Sequence, residues 1–173
     1  MARTDPFDPI AILQALDERR VRYVVVGALG RVILGSDEIT DGIDIVPSPR
    51  EENLRRLGLA LEDLHARRAD GKPLALEADL GRDPTVDLGS EAGELKIVLE
   101  PAGTQGYDDL RRSATYEPLG RGVRPSVASL GDQARMLAAL DRERDQEALR
   151  TVRRLIELER ARLRSRRGLS IER

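Results

Sequence analysis

Residues 23–46 of the chain read YVVVGALGRVILGSDEITDGIDIV and contain most of its architectural signal. The β-branched run that starts at Tyr23 ends at Gly27, which is typical of a short buried strand. A helix is predicted over about residues 28–34, because Gly35 and Ser36 interrupt the pattern there. A second strand follows over 43–46 and is stopped by Pro47.

Helices are expected on both sides of this stretch. Asp8 followed by Pro9 is typical of a helix N-terminus, and this first helix should end near Arg20. Leucines recur at three- and four-residue steps within 50–67, which predicts a helix with one face in the core. The other predicted elements are a strand at 94–99, a short helix at 107–113, extended structure at 116–126, a helix capped by Ser129 and a last helix at 145–166.

Residues 69–93 mix glycine, proline and acidic residues, so we expect a loop there with one or two short strands. The predicted fold class is therefore α/β (α+β), a mixed sheet flanked by helices and followed by C-terminal helices. With 173 residues the chain fits one domain. We expect an α/β core over 1–141, with a helix and basic tail over 142–173 packed on the same domain.

Composition excludes several classes of chemistry. The chain has no cysteine and a single histidine, His65, so disulfides and thiolate metal sites are excluded and a zinc enzyme is not expected. The charged N-terminal residues lack the apolar run of a signal peptide, and no later run is long and apolar enough to cross a membrane. The expected location is the cytoplasm.

Basic residues are concentrated at the C-terminus. Residues 142–173 contain 11 arginines and six acidic residues, which gives this tail a net charge of +5. Acidic residues alternate with the arginines, as they do on solvated helices, but the tail could also approach nucleic acid or an acidic partner. If RNA binds, the expected phosphate contacts are Arg31, Arg135, Arg142 and Arg144.

The order and spacing of residues 23–46 resemble the nucleotidyltransferase pattern: a hydrophobic strand ending in Gly, a helix, Gly-Ser, and then Thr-x-Asp-Ile-Asp. The resemblance extends to about residue 156 and is nearest to small toxin-type members of the AbiEii/MNT-like kind. It implies three carboxylates that hold two Mg²⁺ ions, a nucleoside triphosphate as substrate and an RNA or protein acceptor. It also implies that Gly35 and Ser36 hold phosphate, although this pair could simply end a helix.

The carboxylate positions that this resemblance implies are mostly altered. The first is Gly42, the second is Asp44, and the third, on the strand at 94–99, is Lys96. All three should share one face of the sheet, because side chains alternate along a strand. Asp41 and Glu94 are poor replacements, since Asp41 should point to the other face and Glu94 lies two residues from position 96.

Two more expectations concern charge in this site. Leu137 stands where relatives often offer a lysine to the triphosphate. The ammonium of Lys96 is expected to take the place of a metal ion, to pair with Asp44 and to lower the pKa of Asp44. In that case Asp44 is at most a weak metal ligand.

Three functions follow from these observations. The first is a nucleotidyltransferase-fold pseudoenzyme that binds a nucleotide, RNA or protein, in a toxin–antitoxin setting. The second is a working Mg²⁺-dependent transferase that moves a nucleoside monophosphate from a triphosphate to RNA or protein. In it, Asp44 with Glu94 or Asp41 provides a reduced metal site and Ser36 holds phosphate. The third is a structural or oligomerising protein that uses the last helix as its interface.

Overall fold

The computed structural model of the protein describes residues 7–169. The helices are α1 (Pro9–Glu18), α2 (Gly27–Ile33), α3 (Glu51–Asp63), α4 (Leu76–Arg82), α5 (Tyr107–Leu110), α6 (Leu130–Leu140) and α7 (Gln146–Leu169), with a 3-10 turn at Glu143–Asp145 before α7. The strands are β1 (Tyr23–Val26), β2 (Gly42–Pro47), β3 (Arg67–Arg68), β4 (Thr85–Ser90), β5 (Gly93–Val98), β6 (Thr115–Tyr116) and β7 (Ser126–Val127).

The strands form one mixed sheet of seven strands in the order β3-β4-β5-β2-β1-β7-β6. Strand β2 pairs antiparallel with β1 and parallel with β5, and β1 pairs parallel with β7. Strand β4 pairs antiparallel with both β5 and β3. The predicted class, a mixed sheet flanked by helices with C-terminal helices, is confirmed.

Alternation along the central strands divides the core between the two faces of the sheet. Ile43 and Ile45 of β2 belong to the larger cluster, together with apolar side chains of α1, α3 and α4. Val46 belongs to a second cluster that contains Leu110 of α5 and Met136 of α6. Because residues two apart share a face, Asp44 lies on the same side as Val46, the side of α5 and α6.

Two helix starts agree with the sequence prediction. The Asp8 carboxylate accepts a hydrogen bond from the Ala11 N–H at 3.0 Å, and the Ser129 hydroxyl accepts one from the Asp132 N–H at 3.1 Å. Each satisfies a backbone donor that has no partner within the helix. Helix α5 is shorter than predicted and ends at Leu110.

The segment 69–93 is more ordered than its composition indicates. The predicted loop with short strands is wrong over 76–82, where the chain forms α4, and β4 is a full six-residue strand. The strand shows the two-residue period, since Val86 and Leu88 are buried and Asp87 is exposed. Leu76 and Leu80 of α4 fill the core beneath it, and this tertiary burial outweighs the local turn signals.

The buried residues of the final helix lie in its first half. Leu149 and Val152 of α7 form a small buried cluster with Leu137 of α6. Residues 157–168 are exposed throughout. Within the described range, no helix is both apolar enough and long enough to cross a lipid bilayer.

Candidate functional site

A row of charged side chains crosses three adjacent strands on the face of α5 and α6. Asp44 of β2 is in register with Lys96 of β5, and Lys96 is in register with Asp87 of β4. Directly opposed residues on paired strands point to the same side of the sheet. The next row has the same form, with Gly42 opposite Glu94 and Glu94 opposite Gly89. Gly42, Asp44 and Lys96 therefore share one face, as the two-residue period predicted.

Lys96 forms its ion pair with Asp87, not with Asp44. The ammonium nitrogen lies 3.6 Å from Asp87 Oδ1, and of the carboxylates in residues 7–169 only Asp87 is within 4.0 Å of it. The expected close pair between Lys96 and Asp44 is corrected in this respect. Lys96 sits between two carboxylates across the sheet and engages the outer one, at the better-solvated end of the row.

The pKa of Asp44 is raised, and the main cause is burial of its carboxyl group. The positive charges of Lys96 and Arg31 lower this pKa by less than burial raises it, and the negative charge of Asp87 adds a smaller increase. The expected net lowering is therefore wrong. A carboxylate loses more from leaving water than it gains from a lysine that is not in contact with it.

Asp44 is packed against the backbone where β1 meets α2. Gly27 has a φ of +71°, and a Cβ on this residue would lie 2.5 Å from Asp44 Oδ2. A side chain at position 27 is thus excluded for two reasons: the backbone conformation there favours glycine, and the Cβ would clash with the Asp44 carboxylate. The glycine that ends β1 leaves the space that the carboxylate fills.

The altered position Gly42 is also constrained by its neighbour. A Cβ at Gly42 would lie 3.1 Å from Glu94 Cβ and 3.2 Å from the Glu94 carbonyl oxygen, closer than an ordinary van der Waals contact. Across residues 7–169, no three histidine, aspartate or glutamate side chains are grouped closely enough to hold a metal ion. The donor set that a two-metal site requires does not fit this face.

These rows form the floor of an open cleft of about 800 Å³. Its charged lining consists of five carboxylates, three permanent cations and His65: Asp41, Asp44, Asp87, Glu91, Glu94, Arg67, Arg68 and Lys96. Arg68 is held by Asp79 at 2.7 Å and by Asp70 at 2.7 Å, and His65 Nδ1 lies 2.9 Å from Glu91 Oε1. The cleft therefore has a net negative lining.

The Gly35–Ser36 turn is closed by its own neighbours. The Ser36 hydroxyl donates to Glu38 Oε2 at 2.7 Å, and the Ser36 N–H donates to the Arg31 carbonyl at 2.9 Å. Arg31 donates two hydrogen bonds to the Glu38 carboxylate, at 2.8 and 2.7 Å. The phosphate-binding role of Gly35 and Ser36 stays a prediction, and in this arrangement their donors are engaged within the chain.

The remaining positions of interest are similarly occupied. Leu137 is buried against α7, so this position serves the contact between α6 and α7. Of the arginines predicted to meet RNA, Arg31 pairs with Glu38, Arg142 with Asp145, and Arg135 with Asp109 and Asp132.

Sequence reasoning missed several residues of the cleft. Composition predicts a loop around Asp87, and the sequence alone assigns no role to His65 or Arg68. The signal for Asp87 is the run Thr85-Val86-Asp87-Leu88, whose alternation predicts a strand with the acid on its open face. No local pattern indicates that Arg68 folds back beside this strand.

Comparison with solved structures places this geometry in a known fold. The lincosamide antibiotic adenylyltransferase LnuA, lincomycin-bound, matches with a TM-score of 0.60 and 16% identity, covering 87% of this chain and 99% of that chain. The antibiotic-resistance factor ANT(2'')-Ia in solution matches with a TM-score of 0.53 and 19% identity, covering 94% of this chain and 92% of that chain. The same factor in complex with adenylyl-2''-tobramycin matches with a TM-score of 0.53 and 19% identity, covering 91% of this chain and 95% of that chain.

The chain has the nucleotidyltransferase fold. The neighbours that establish it include one antibiotic adenylyltransferase and two structures of one antibiotic-resistance factor, and at these identities the likeness extends to the fold alone. No protein-family model and no curated protein sequence matches the chain.

Proposed function

We propose that this protein is a nucleotidyltransferase-fold binding module that does not carry out two-metal transfer, and that its cleft takes a positively charged small molecule. The observation that carries the proposal is the row Asp44–Lys96–Asp87, in which a lysine stands between two carboxylates on the floor of the cleft. A fixed ammonium ion in this row supplies the positive charge that a metal ion would bring.

The position of Lys96 opposes metal binding. A divalent cation beside Asp44 would be repelled by an ammonium ion on the adjacent strand, and Lys96 already lowers the pKa of Asp44 through its charge. Gly42 offers no side-chain oxygen, and the side chain that an Asp would need there meets Glu94. These residues support a site that works without Mg²⁺.

The lining of the cleft favours a cation over a nucleoside triphosphate. Five carboxylates of the lining outnumber its three cations. Lys96 pairs with Asp87 of the same lining, and Arg68 is held by Asp79 beside the cleft. A triphosphate without its metal ions would be repelled by this surface, whereas an amine would be attracted. Neighbours with the same fold were solved with lincomycin and with adenylyl-2''-tobramycin, which supports a small-molecule role for the cleft.

An Mg²⁺-dependent transferase is the alternative. It is favoured by the carboxylates that remain around the cleft, since Asp41, Asp87 and Glu94 all line it together with Asp44. A toxin–antitoxin setting and an RNA or protein partner stay predictions from the sequence resemblance.

The deciding experiment is calorimetric titration with spermidine, with Mg²⁺ alone, and with Mg²⁺ plus each of the four ribonucleoside triphosphates. We expect saturable spermidine binding without Mg²⁺ and no Mg²⁺-dependent nucleotide binding. Asp44→Asn should weaken spermidine binding by about tenfold, because a contact to a charged group is removed. Lys96→Met should strengthen it, because both flanking carboxylates lose their cation.

The matched control is Lys72→Met, which removes the other lysine of the chain from outside the cleft. Nucleotide binding that requires Mg²⁺ in the unmodified protein would establish the transferase alternative and reject the proposal. Spermidine binding that Lys96→Met and Lys72→Met alter equally would show that the cleft is not the site.

A further inference from the structure

All three tyrosines of the chain line one pocket, which is distinct from the acidic cleft. Tyr23 begins β1, Tyr107 begins α5 and Tyr116 ends β6, and together they line a pocket of about 380 Å³. Tyr23 and Val26 are the two ends of β1, and Val26 is opposite Asp44. The pocket and the cleft therefore lie toward opposite ends of the same strand, and they share no lining residue.

Three arginines also line this pocket: Arg22, Arg111 and Arg124. They come from the turn before β1, from the end of α5 and from the segment before β7, so the fold brings together residues that are about a hundred positions apart. Among the described residues that line the pocket, Asp17 is the only carboxylate, so the lining is positive. The Tyr23 hydroxyl donates to Asp17 at 3.2 Å.

Two of these guanidinium groups are not used by the fold. Within residues 7–169, the side chains of Arg22 and Arg124 take part in neither an ion pair nor a hydrogen bond. Arg111 has one partner, since its Nε lies 3.1 Å from Asp108 Oδ1. A guanidinium without a partner can form charged hydrogen bonds to an anion, and two such groups on the lining of one pocket give it capacity for an anionic ligand.

The aromatic rings add a second recognition element. Tyr116 is 70% exposed although it is a large ring beside the pocket, and Tyr107 is half-buried. Aromatic rings bind flat groups by stacking or edge contacts, and their hydroxyls can donate to an anion. A ligand with a flat ring and a phosphate would use both the tyrosines and the arginines.

We propose that this tyrosine–arginine pocket, defined by its three tyrosines and three arginines, binds a small organic phosphate that carries a flat ring. The phosphate contacts Arg22 and Arg124, and the ring lies against Tyr116. This site does not depend on the function of the acidic cleft, because binding at either place can fail without the other.

The chain reports on this pocket by its own fluorescence. It has no tryptophan, and every tyrosine lines the pocket, so the tyrosine emission of the whole protein comes from this site. We would titrate the protein with phenyl phosphate, inorganic phosphate and phenol, following the heat of binding for all three and tyrosine emission for inorganic phosphate, which neither absorbs nor emits in this region. We expect saturable binding of phenyl phosphate that is at least about tenfold tighter than that of either fragment.

The test variant is Arg124→Gln, and its control is Arg121→Gln, an exposed arginine in the same segment that does not line the pocket. Arg124→Gln should weaken phenyl phosphate binding by about tenfold, the effect of losing one charged hydrogen bond. Arg121→Gln should leave it unchanged. Equal weakening by the two variants, equal affinity for phenyl phosphate and inorganic phosphate, or no saturable signal would each overturn the proposal.

Discussion

Asp44 lies on the sheet face that it shares with Gly42 and Lys96, and burial raises its pKa. The sign of its pKa shift depends on burial under the fold and on the reach of the Lys96 side chain. Neither quantity is contained in the spacing of residues along one strand.

The raised pKa of Asp44 makes a stability prediction. The native state holds the proton of Asp44 at a pH where the unfolded chain has lost it, so this residue reduces stability as pH rises above the usual aspartate pKa. Asp44→Asn should therefore raise the free energy of unfolding at neutral pH by about 1 kcal/mol. Urea denaturation at neutral and acidic pH measures this.

The gain should disappear at a pH below the usual aspartate pKa, because Asp44 is then protonated in both states. Asp37→Asn is the control, since Asp37 is exposed and has no hydrogen bond or ion pair among the described residues. A gain from Asp44→Asn that persists unchanged in acid would contradict the assignment to charge burial.

Gly27 and Gly71 provide a matched test of the contact with Asp44. Both have positive φ, +71° and +76°, but a Cβ at Gly27 meets Asp44 Oδ2 at 2.5 Å whereas one at Gly71 meets nothing within 4 Å. Gly71→Ala should cost about 1 kcal/mol from backbone strain alone. Gly27→Ala should cost at least about 2 kcal/mol more, because the buried carboxylate must move.

Thermal or urea unfolding of the two variants gives the comparison. If Gly27→Ala and Gly71→Ala lowered stability equally, then Asp44 would not be held against the backbone as described. The double variant Gly27→Ala with Asp44→Ala should recover part of the loss, since the obstructing carboxylate is gone.

At the level of elements, the turn between α2 and β2 is held by an ion pair that the sequence did not reveal. Glu38 accepts hydrogen bonds from Arg31 and from Ser36, and the hydrogen bond from Arg31 is the main cause that lowers the Glu38 pKa. The Gly-Ser pair itself was recognised, but a partner two residues later follows no periodicity. Helix α4 was missed for a related reason, since its core contacts are tertiary.

Glu38→Gln should lower the free energy of unfolding at neutral pH by about 1 kcal/mol, because the charged hydrogen bonds that Arg31 and Ser36 donate to this carboxylate are weakened. A lowered carboxylate pKa contributes stability above the unfolded pKa and loses it as pH falls through the folded one. The difference between variant and parent should thus vanish in acid.

The control for this element is Glu51→Gln, which removes an exposed pair with Arg55 on α3, with side chains 78% and 67% exposed. Its effect should be below about 0.5 kcal/mol at any pH. Denaturation curves of all three proteins at neutral and low pH measure the effect. An equal loss for both variants would show that the α2–β2 turn does not depend on its ion pair.

For the whole molecule, the fold concentrates opposite charges toward the two ends of β1. The acidic cleft lies near Val26 and the tyrosine–arginine pocket near Tyr23. The sequence predicted the class of fold and the first of these places through a local motif. The second could not be predicted, because its lining is drawn from residues between 17 and 126 that meet only after the sheet has formed.

Removal of residues 157–173 tests how much of α7 belongs to the folded body. The described part of this segment is exposed, whereas Leu149 and Val152 are buried against α6. Truncation after Ile156 should change the unfolding free energy by less than about 0.5 kcal/mol. Leu149→Ala, as the positive control, should cost about 2–4 kcal/mol. A large loss on truncation would show that the distal half packs on the body.

The two halves of helix α7 should differ in the rate of amide hydrogen exchange. Around Leu149 and Val152, exchange requires the contact with α6 to open, so protection there should approach that of the sheet. Residues 158–168 are exposed, so local fraying of the helix is enough to open their backbone hydrogen bonds to exchange. A partner that covers the distal half of α7 would therefore slow amide hydrogen exchange in that half and leave exchange around Leu149 unchanged.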